Sequence, residues 1–239
     1  MKLSKRIYKI AEMVQQGETA ADIGTDHGYV PMLLIKNGIS SRVIMSDISE
    51  ASLSKARETF KLCGLHADDS DFRAGDGLDT INASEVDDII IAGLGGYTIA
   101  DILDSDIEKS RSFKKMILQP RKHSGALRHY LYTHGWDITE DVLAPEGKFQ
   151  CEIIVAVPGD EKERKEPYTA DDIRWKYPDK IMQSSAELAV KRIEWKIKSI
   201  EEQLHNMKKA GSKDPFMMES MRSDLEYLKN LIIRNEICD

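Results

Sequence analysis

Residues 19–29, Thr-Ala-Ala-Asp-Ile-Gly-Thr-Asp-His-Gly-Tyr, run from a short apolar segment into a tight, glycine-containing turn that carries acids. A strand that ends in such a turn and feeds a helix is the opening unit of an α/β sheet, and such sheets hold nucleotide-like ligands at that point. The acids narrow the choice of ligand. A pyrophosphate would meet Asp22 and Asp26 as like charges, whereas a cationic, phosphate-free cofactor would meet them as partners.

The rest of the first 158 residues keeps the same alternation. Strand-like runs at 20–24, 42–47, 71–74, 88–92, 115–119, 136–143 and 151–157 alternate with helix-like stretches at 30–37, 50–63, 98–103 and 124–134. Gly38, Gly64 and Gly135 stand as stops just past three of those helices. Leu3, Ile7, Ile10, Ala11 and Val14 recur at helical spacing and predict a helix before the first strand. The last two strands follow one another with no helix between them. The expected fold is therefore α/β: a Rossmann-like, mostly parallel sheet of seven strands with a terminal antiparallel hairpin, the arrangement of class I methyltransferases.

Pro158-Gly159 and the charged run 160–166 break this pattern, so the first domain is placed at 1–160 and a second at 161–239. In the second, Ala186, Val190, Ile193, Ile197, Ile200, Leu204 and Met207 step by fours and threes. Met218, Met221, Leu225, Leu228 and Ile232 resume the habit after a break at 211–215. This spacing predicts an antiparallel helical hairpin with a coiled-coil seam, whose apolar residues serve packing. Lys208, Lys209 and Lys213 would lie at its turn.

A hydrophobic fraction of 41% and a charged fraction of 31% are those of a globular protein, and no apolar run approaches the ~20 residues that span a bilayer. The basic N-terminus is followed by no apolar signal region, so a cytoplasmic location is expected. Cys63, Cys151 and Cys238 are odd in number and widely spaced, which predicts reduced thiols and no structural metal. A monomer is expected.

The net charge of −7 is unevenly spread: residues 1–160 hold 18 Lys/Arg against 25 Asp/Glu, and 161–239 hold 16 of each. Two basic runs interrupt the acidic part. One is Lys2, Lys5, Arg6 and Lys9; the other is Lys109, Arg111, Lys114, Lys115, Arg121, Lys122 and Arg128. Nucleic acid thus stays open as a partner, beside the alternative that these are ordinary solvated faces.

In an open parallel sheet, ligands bind beyond the carboxyl ends of the strands. Four of those ends carry chemistry. The first is Gly24-Thr25-Asp26-His27-Gly28, where Gly24 permits close backbone approach and Asp26 can face a cationic group. It does not match the dinucleotide fingerprint GxGxxG. The second is Asp47-Ile48, 23 residues beyond Gly24, the distance at which an acid reaches ribose hydroxyls. The third is Gly75-Asp76-Gly77-Leu78, whose carboxylate can accept from an adenine amine, although a type I′ turn would equally explain Asp76-Gly77. The fourth is Gly93-Leu94-Gly95-Gly96-Tyr97, richer in glycine than a helix entry needs unless a ligand or backbone comes close. S-adenosylmethionine is a cofactor that fits the acids.

The order and wording of these segments, with Gln119-Pro120-Arg121 and a helical C-terminal part, resemble the bacterial tRNA (adenine-22, N1)-methyltransferase family, the TrmK family, over nearly the whole chain. Gly28, Val30 and Leu94 depart conservatively from the family's usual Asp-His-Ala-Tyr-Leu-Pro and Gly-Met-Gly-Gly. The resemblance implies an S-adenosylmethionine-dependent enzyme acting on N1 of one adenine in tRNA. It places the cofactor against Asp22, Gly24, Thr25, Asp26, His27, Asp47, Ile48, Asp76, Gly77 and Gly93. Adenine N1 carries a free lone pair at neutral pH, so alignment matters more than a strong base. Asp26 or Gln119 would stabilise developing charge, and Tyr29, with Tyr97 as the alternative, would stack the unpaired base. Lys5, Arg6, Arg121, Lys122 and Arg128 would bind RNA phosphates. His27 is either a general base or a cap of its turn; His123, His129 and His134 are expected at the surface. The rival readings are an NAD-dependent oxidoreductase, a methyltransferase of another RNA or non-RNA target, and a non-catalytic RNA-binding protein.

Overall fold

A computed structural model describes residues 3–147, 149–160, 164, 166–210 and 214–236. Lys2, Lys213, Cys238, part of the break at 211–215 and part of the charged run at 160–166 lie outside the described residues.

Five strands lie parallel: β1 (Ala20–Ile23), β2 (Val43–Asp47), β3 (Phe72–Ala74), β4 (Asp88–Gly95) and β5 (Lys115–Lys122). β6 (Trp136–Glu146) and β7 (Phe149–Pro158) form an antiparallel hairpin, and β7 joins the sheet antiparallel to β5. The order is β3-β2-β1-β4-β5-β7-β6. The seven-stranded, mostly parallel sheet expected from the alternation is present. It reverses direction between β1 and β4, so the connections after these two strands diverge and leave a crevice at their carboxyl ends.

Both faces are covered, which is why the central strands read as continuous apolar runs. Along β4, Ile90 faces one layer and Ile89 and Ile91 the other, all fully buried. The first layer holds α1 (Lys5–Ala11), α2 (Tyr29–Lys36) and α3 (Glu50–Leu62). The second holds α4 (Gly96–Asp104) and α6 (Ser124–Thr133), with the short α5 (Ile107–Arg111) between them in the chain. Neither α5 nor the one-turn α7 (Ile173–Lys176) has a periodic signature long enough to show in the sequence.

β5 continues three residues past its expected end, through Pro120, Arg121 and Lys122, because it follows β4 across a bulge at Gly93. The β6–β7 hairpin is also longer than its apolar core, reaching Glu146 and Phe149 on either side of the turn. Asp76 is extended at φ −95°, so the type I′ alternative does not hold; Gly77 instead opens a 3-10 turn.

α8 (Asp179–Lys209) and α9 (Pro215–Glu236) form the helical hairpin. They run antiparallel, since Lys229 near the end of α9 pairs with Glu201 of α8, and the Tyr227 hydroxyl donates to the Tyr177 carbonyl just before α8. Ile193, Ile200, Leu204, Leu228 and Leu231 are buried along the seam. Leu143 of β6 belongs to the same cluster. α8 breaks its helical geometry at Ser185, whose hydroxyl accepts from the Leu143 N–H at 3.0 Å, so the hairpin is bonded to the sheet edge.

Candidate active site

The site is built on the carboxyl ends of β1, β2, β3 and β4. The backbone N–H groups of Gly24 and Thr25 both donate to the Ser46 carbonyl of β2, at 2.8 and 3.0 Å, which folds the turn after β1 back over the sheet. Gly24 has φ +73°, and an added Cβ would meet nothing within 4 Å, so the turn presents bare backbone to open space. At Gly96 the reason for glycine is different. A Cβ there would lie 2.3 Å from the His123 carbonyl oxygen, so the close approach of backbone, not a ligand, demands it.

Two cavities meet at this turn. One, of about 520 Å³, has Asp47, Asp76 and Gly77 along its acidic side and Ile48, Leu94 and Ile102 as apolar cover. The other, of about 320 Å³, is lined by Asp22, Thr25, Asp26, Tyr29, Gly93 and Arg121. Gly24 and Leu94 belong to both. Asp47 is held by two backbone donors, Asp26 N–H at 3.1 Å on one oxygen and Ser49 N–H at 2.9 Å on the other. This rigid carboxylate, the open backbone at Gly24 and the flanking apolar side chains suit a cationic cofactor that carries an adenosine.

Asp22 is the buried acid of the site, 5% exposed. Burial pushes its carboxyl up to about 6, against the Thr25 hydroxyl, which donates to it at 2.7 Å; the Asp47 carboxylate adds to the rise and Arg6 opposes it. Asp26 differs from expectation. It is exposed, and its carboxylate accepts from Lys55 at 2.9 Å rather than standing free for a ligand. His27 lies 3.6 Å from that carboxylate and stacks on Tyr29, ring centroids 5.1 Å apart. One face of Tyr29 is thereby covered.

Gln119 is buried, and its carbonyl oxygen accepts from Arg6 at 3.0 Å while its amide nitrogen donates to the Pro120 carbonyl at 2.9 Å. Arg6 is itself held by Glu146, at 2.9 Å. This Glu146–Arg6–Gln119 chain was not anticipated, because its members lie 140 and 113 residues apart. Leu94, Ile102 and Thr98 of the larger cavity were also unassigned, although all lie within the first residues after β4's apolar run, where such a sheet places its ligand.

The second basic run does not form one patch. Arg128 is 1% exposed and bonded to Asp141 and Glu152, so it is no phosphate ligand: helix α6 turns it inward beneath the sheet edge. Lys115 is buried at the opposite end of the sheet with Glu18 and Asp88, and Lys114 pairs with Asp87 there. Arg121 and Lys122 remain exposed on the rim of the site, and Lys5 is exposed on α1. Of the three histidines expected at the surface, His123 and His134 are exposed; His129 is half-buried, edge-on to Trp175. Among the described residues no group of three or more His, Cys, Asp or Glu is placed to hold a metal. No described helix is long and apolar enough to cross a membrane.

A family model described as a methyltransferase domain matches residues 3–154. The curated tRNA (adenine(22)-N(1))-methyltransferase of Bacillus subtilis (strain 168) is 36% identical over 160 residues, covering 67% of this chain and 67% of that protein. The crystal structure of the B. subtilis M1A22 tRNA methyltransferase TrmK is similar at a TM-score of 0.75 and 27% identity, over 97% of this chain and 99% of the other. The structure of M. capricolum TrmK, solved with the cofactor product S-adenosyl-homocysteine, shares the fold at a TM-score of 0.76 and 20% identity, over 97% and 98%.

Proposed function

Because the chain belongs to the bacterial tRNA (adenine-22, N1)-methyltransferase family, we propose that it transfers a methyl group from S-adenosylmethionine to N1 of adenine 22 in tRNA. The observation that carries this reading is the pair of cavities joined at Gly24, acidic on one side and apolar on the other.

S-adenosylmethionine, when bound, supplies a methyl group on a positively charged sulfur. Asp47 would accept from the ribose hydroxyls and Asp76 from the adenine amine, and Ile48, Leu94 and Ile102 would cover the ring. Asp22, Thr25 and the backbone of Gly24 and Gly93 would hold the amino-acid end, with Asp22 facing the ammonium group. The acceptor base enters the cavity lined by Tyr29, whose ring His27 backs. Its N1 lone pair needs no base, so the protein's task is to align it with the methyl and exclude water. No residue of the chain is required to take up or give a proton. The negative field of Asp22 would favour the cation at the donor end of the transfer. Gln119 holds Arg6, which lines the Tyr29 cavity, in place. Arg121, Lys122 and Lys5 take up phosphates on the rim.

The test is methylation of unmodified tRNA transcripts followed by nucleoside mapping. One 1-methyladenosine at position 22 is expected, and none when that adenine is replaced by guanine. Methylation at any other nucleotide contradicts the assignment.

A further inference from the structure

A third cavity, of about 350 Å³, lies beside the cofactor cavities, between Arg6, the end of β5 and the β6–β7 hairpin. Its outer wall is Phe149, the first residue of β7, which is 80% exposed. That ring does little for the packing of the chain: a phenyl group left mostly in water at the tip of a hairpin contributes little burial to the fold. Arg6 and Arg121 border both this cavity and the one that holds Tyr29. Arg6 is committed to Glu146 and Gln119. Arg121 is exposed and makes no ion pair among the described residues. The thiol inside the cavity, Cys151, donates to the Ala144 carbonyl, and burial pushes it up to about 11.

We propose that this cavity is a subsite for a second nucleobase of the RNA, the one next to the methyl acceptor in the chain. That base stacks on Phe149, and the phosphate joining the two nucleotides lies against Arg121. The inference rests on RNA being the substrate. An adenine drawn out of its stack leaves a neighbour without a partner, and an exposed aromatic ring is a platform that any base can use. The unpaired cation between the two cavities favours a polyanion over an apolar peptide, because a peptide would bury Arg121 without neutralising it.

The experiment uses the full chain and tRNA transcripts, with Phe149→Ala, Phe149→Leu and Phe149→Trp variants. Phe149→Ala is expected to raise the KM for tRNA about tenfold, with the Kd for S-adenosylmethionine unmoved. Phe149→Trp restores KM and Phe149→Leu does not. An abasic nucleotide at the flanking position costs the wild type the same factor and costs Phe149→Ala nothing more. The subsite is overturned if Phe149→Ala keeps the wild-type KM, if leucine rescues as well as tryptophan, or if the abasic and alanine losses multiply. A wild-type chain that methylates position 22 while Phe149→Ala is indistinguishable from it overturns the subsite alone; one that methylates no RNA overturns the substrate assignment with it.

Discussion

The Arg128 guanidinium meets the Asp141 carboxylate through two hydrogen bonds, 2.6 and 2.7 Å long, with both side chains 1% exposed. The same guanidinium reaches Glu152 at 2.6 Å and the Trp175 carbonyl at 3.0 Å, and Glu152 in turn holds Arg192 of α8. Burial alone would lower the affinity of Arg128 for its proton, but Asp141 and Glu152 outweigh it and hold the guanidinium charged, above its ordinary range. One cluster thus ties α6, β6, β7, α7 and α8 together. Arg128→Met removes the buried guanidinium that Asp141 and Glu152 share and is expected to cost about 3–5 kcal/mol of stability. Urea unfolding measures this. A variant as stable as the wild type would show that the cluster is not what joins the helical hairpin to the sheet.

Asp22 makes binding and stability respond to pH in opposite directions. Folding raises its carboxyl from 3.8 to about 6, chiefly by burial. The folded state therefore holds the proton more tightly than the unfolded chain does. Its stabilising contribution is full below about pH 4 and is lost as pH rises through about 6, on the order of 3 kcal/mol in total. Cofactor affinity should run the other way, tightening as pH rises through 6 and Asp22 ionises against the ammonium group. In calorimetric titrations between pH 5 and 7.5, Asp22→Asn should lose this dependence.

Gly24→Ala separates folding from binding. The positive φ costs an alanine about 1 kcal/mol, and no neighbour lies within 4 Å of the new methyl. The free protein should therefore remain folded. Its methyl would project into the space where the two cavities meet, and S-adenosylmethionine affinity should fall by at least tenfold. Unchanged affinity would move the cofactor away from this turn.

Arg121→Ala addresses the RNA side. Removal of one phosphate contact should lower the slope of log K against log salt by about one for tRNA binding, with no effect on cofactor affinity. Filter binding across a salt series gives the slope. An unaltered slope would take Arg121 off the RNA track.

The acids and glycines at the strand ends were legible because the chemistry of each is local. Asp22 stands one residue before the end of the first strand, Asp47 ends the next, and Gly24 sits at a turn whose need for an open backbone shows within a few residues. The cationic residues were not legible in the same way. Arg121 and Arg128 are seven residues apart in one acid-free run, yet β5 carries the first out to the rim while α6 turns the second into the core. Charge identity is written in the chain, but the side of the sheet on which a charge emerges is set by packing. Phe149 is a similar case: an aromatic at the start of a strand normally reads as core, and only the length of the β6–β7 hairpin leaves it in water.

Short-range pattern was enough to specify a doubly covered parallel sheet, its closing hairpin, a helical hairpin appendage and an acidic, glycine-opened turn after the first strand, since periodicity and turn chemistry act over fewer than ten or so residues. Tertiary packing alone decided that Asp26 turns to Lys55, that Arg6 locks Gln119, that Arg128 is a buried tie and that a third cavity opens beside Phe149. Each of these depends on which distant segments come within hydrogen-bond reach, and a contact across 113 or 140 residues leaves no mark on the local sequence at either end.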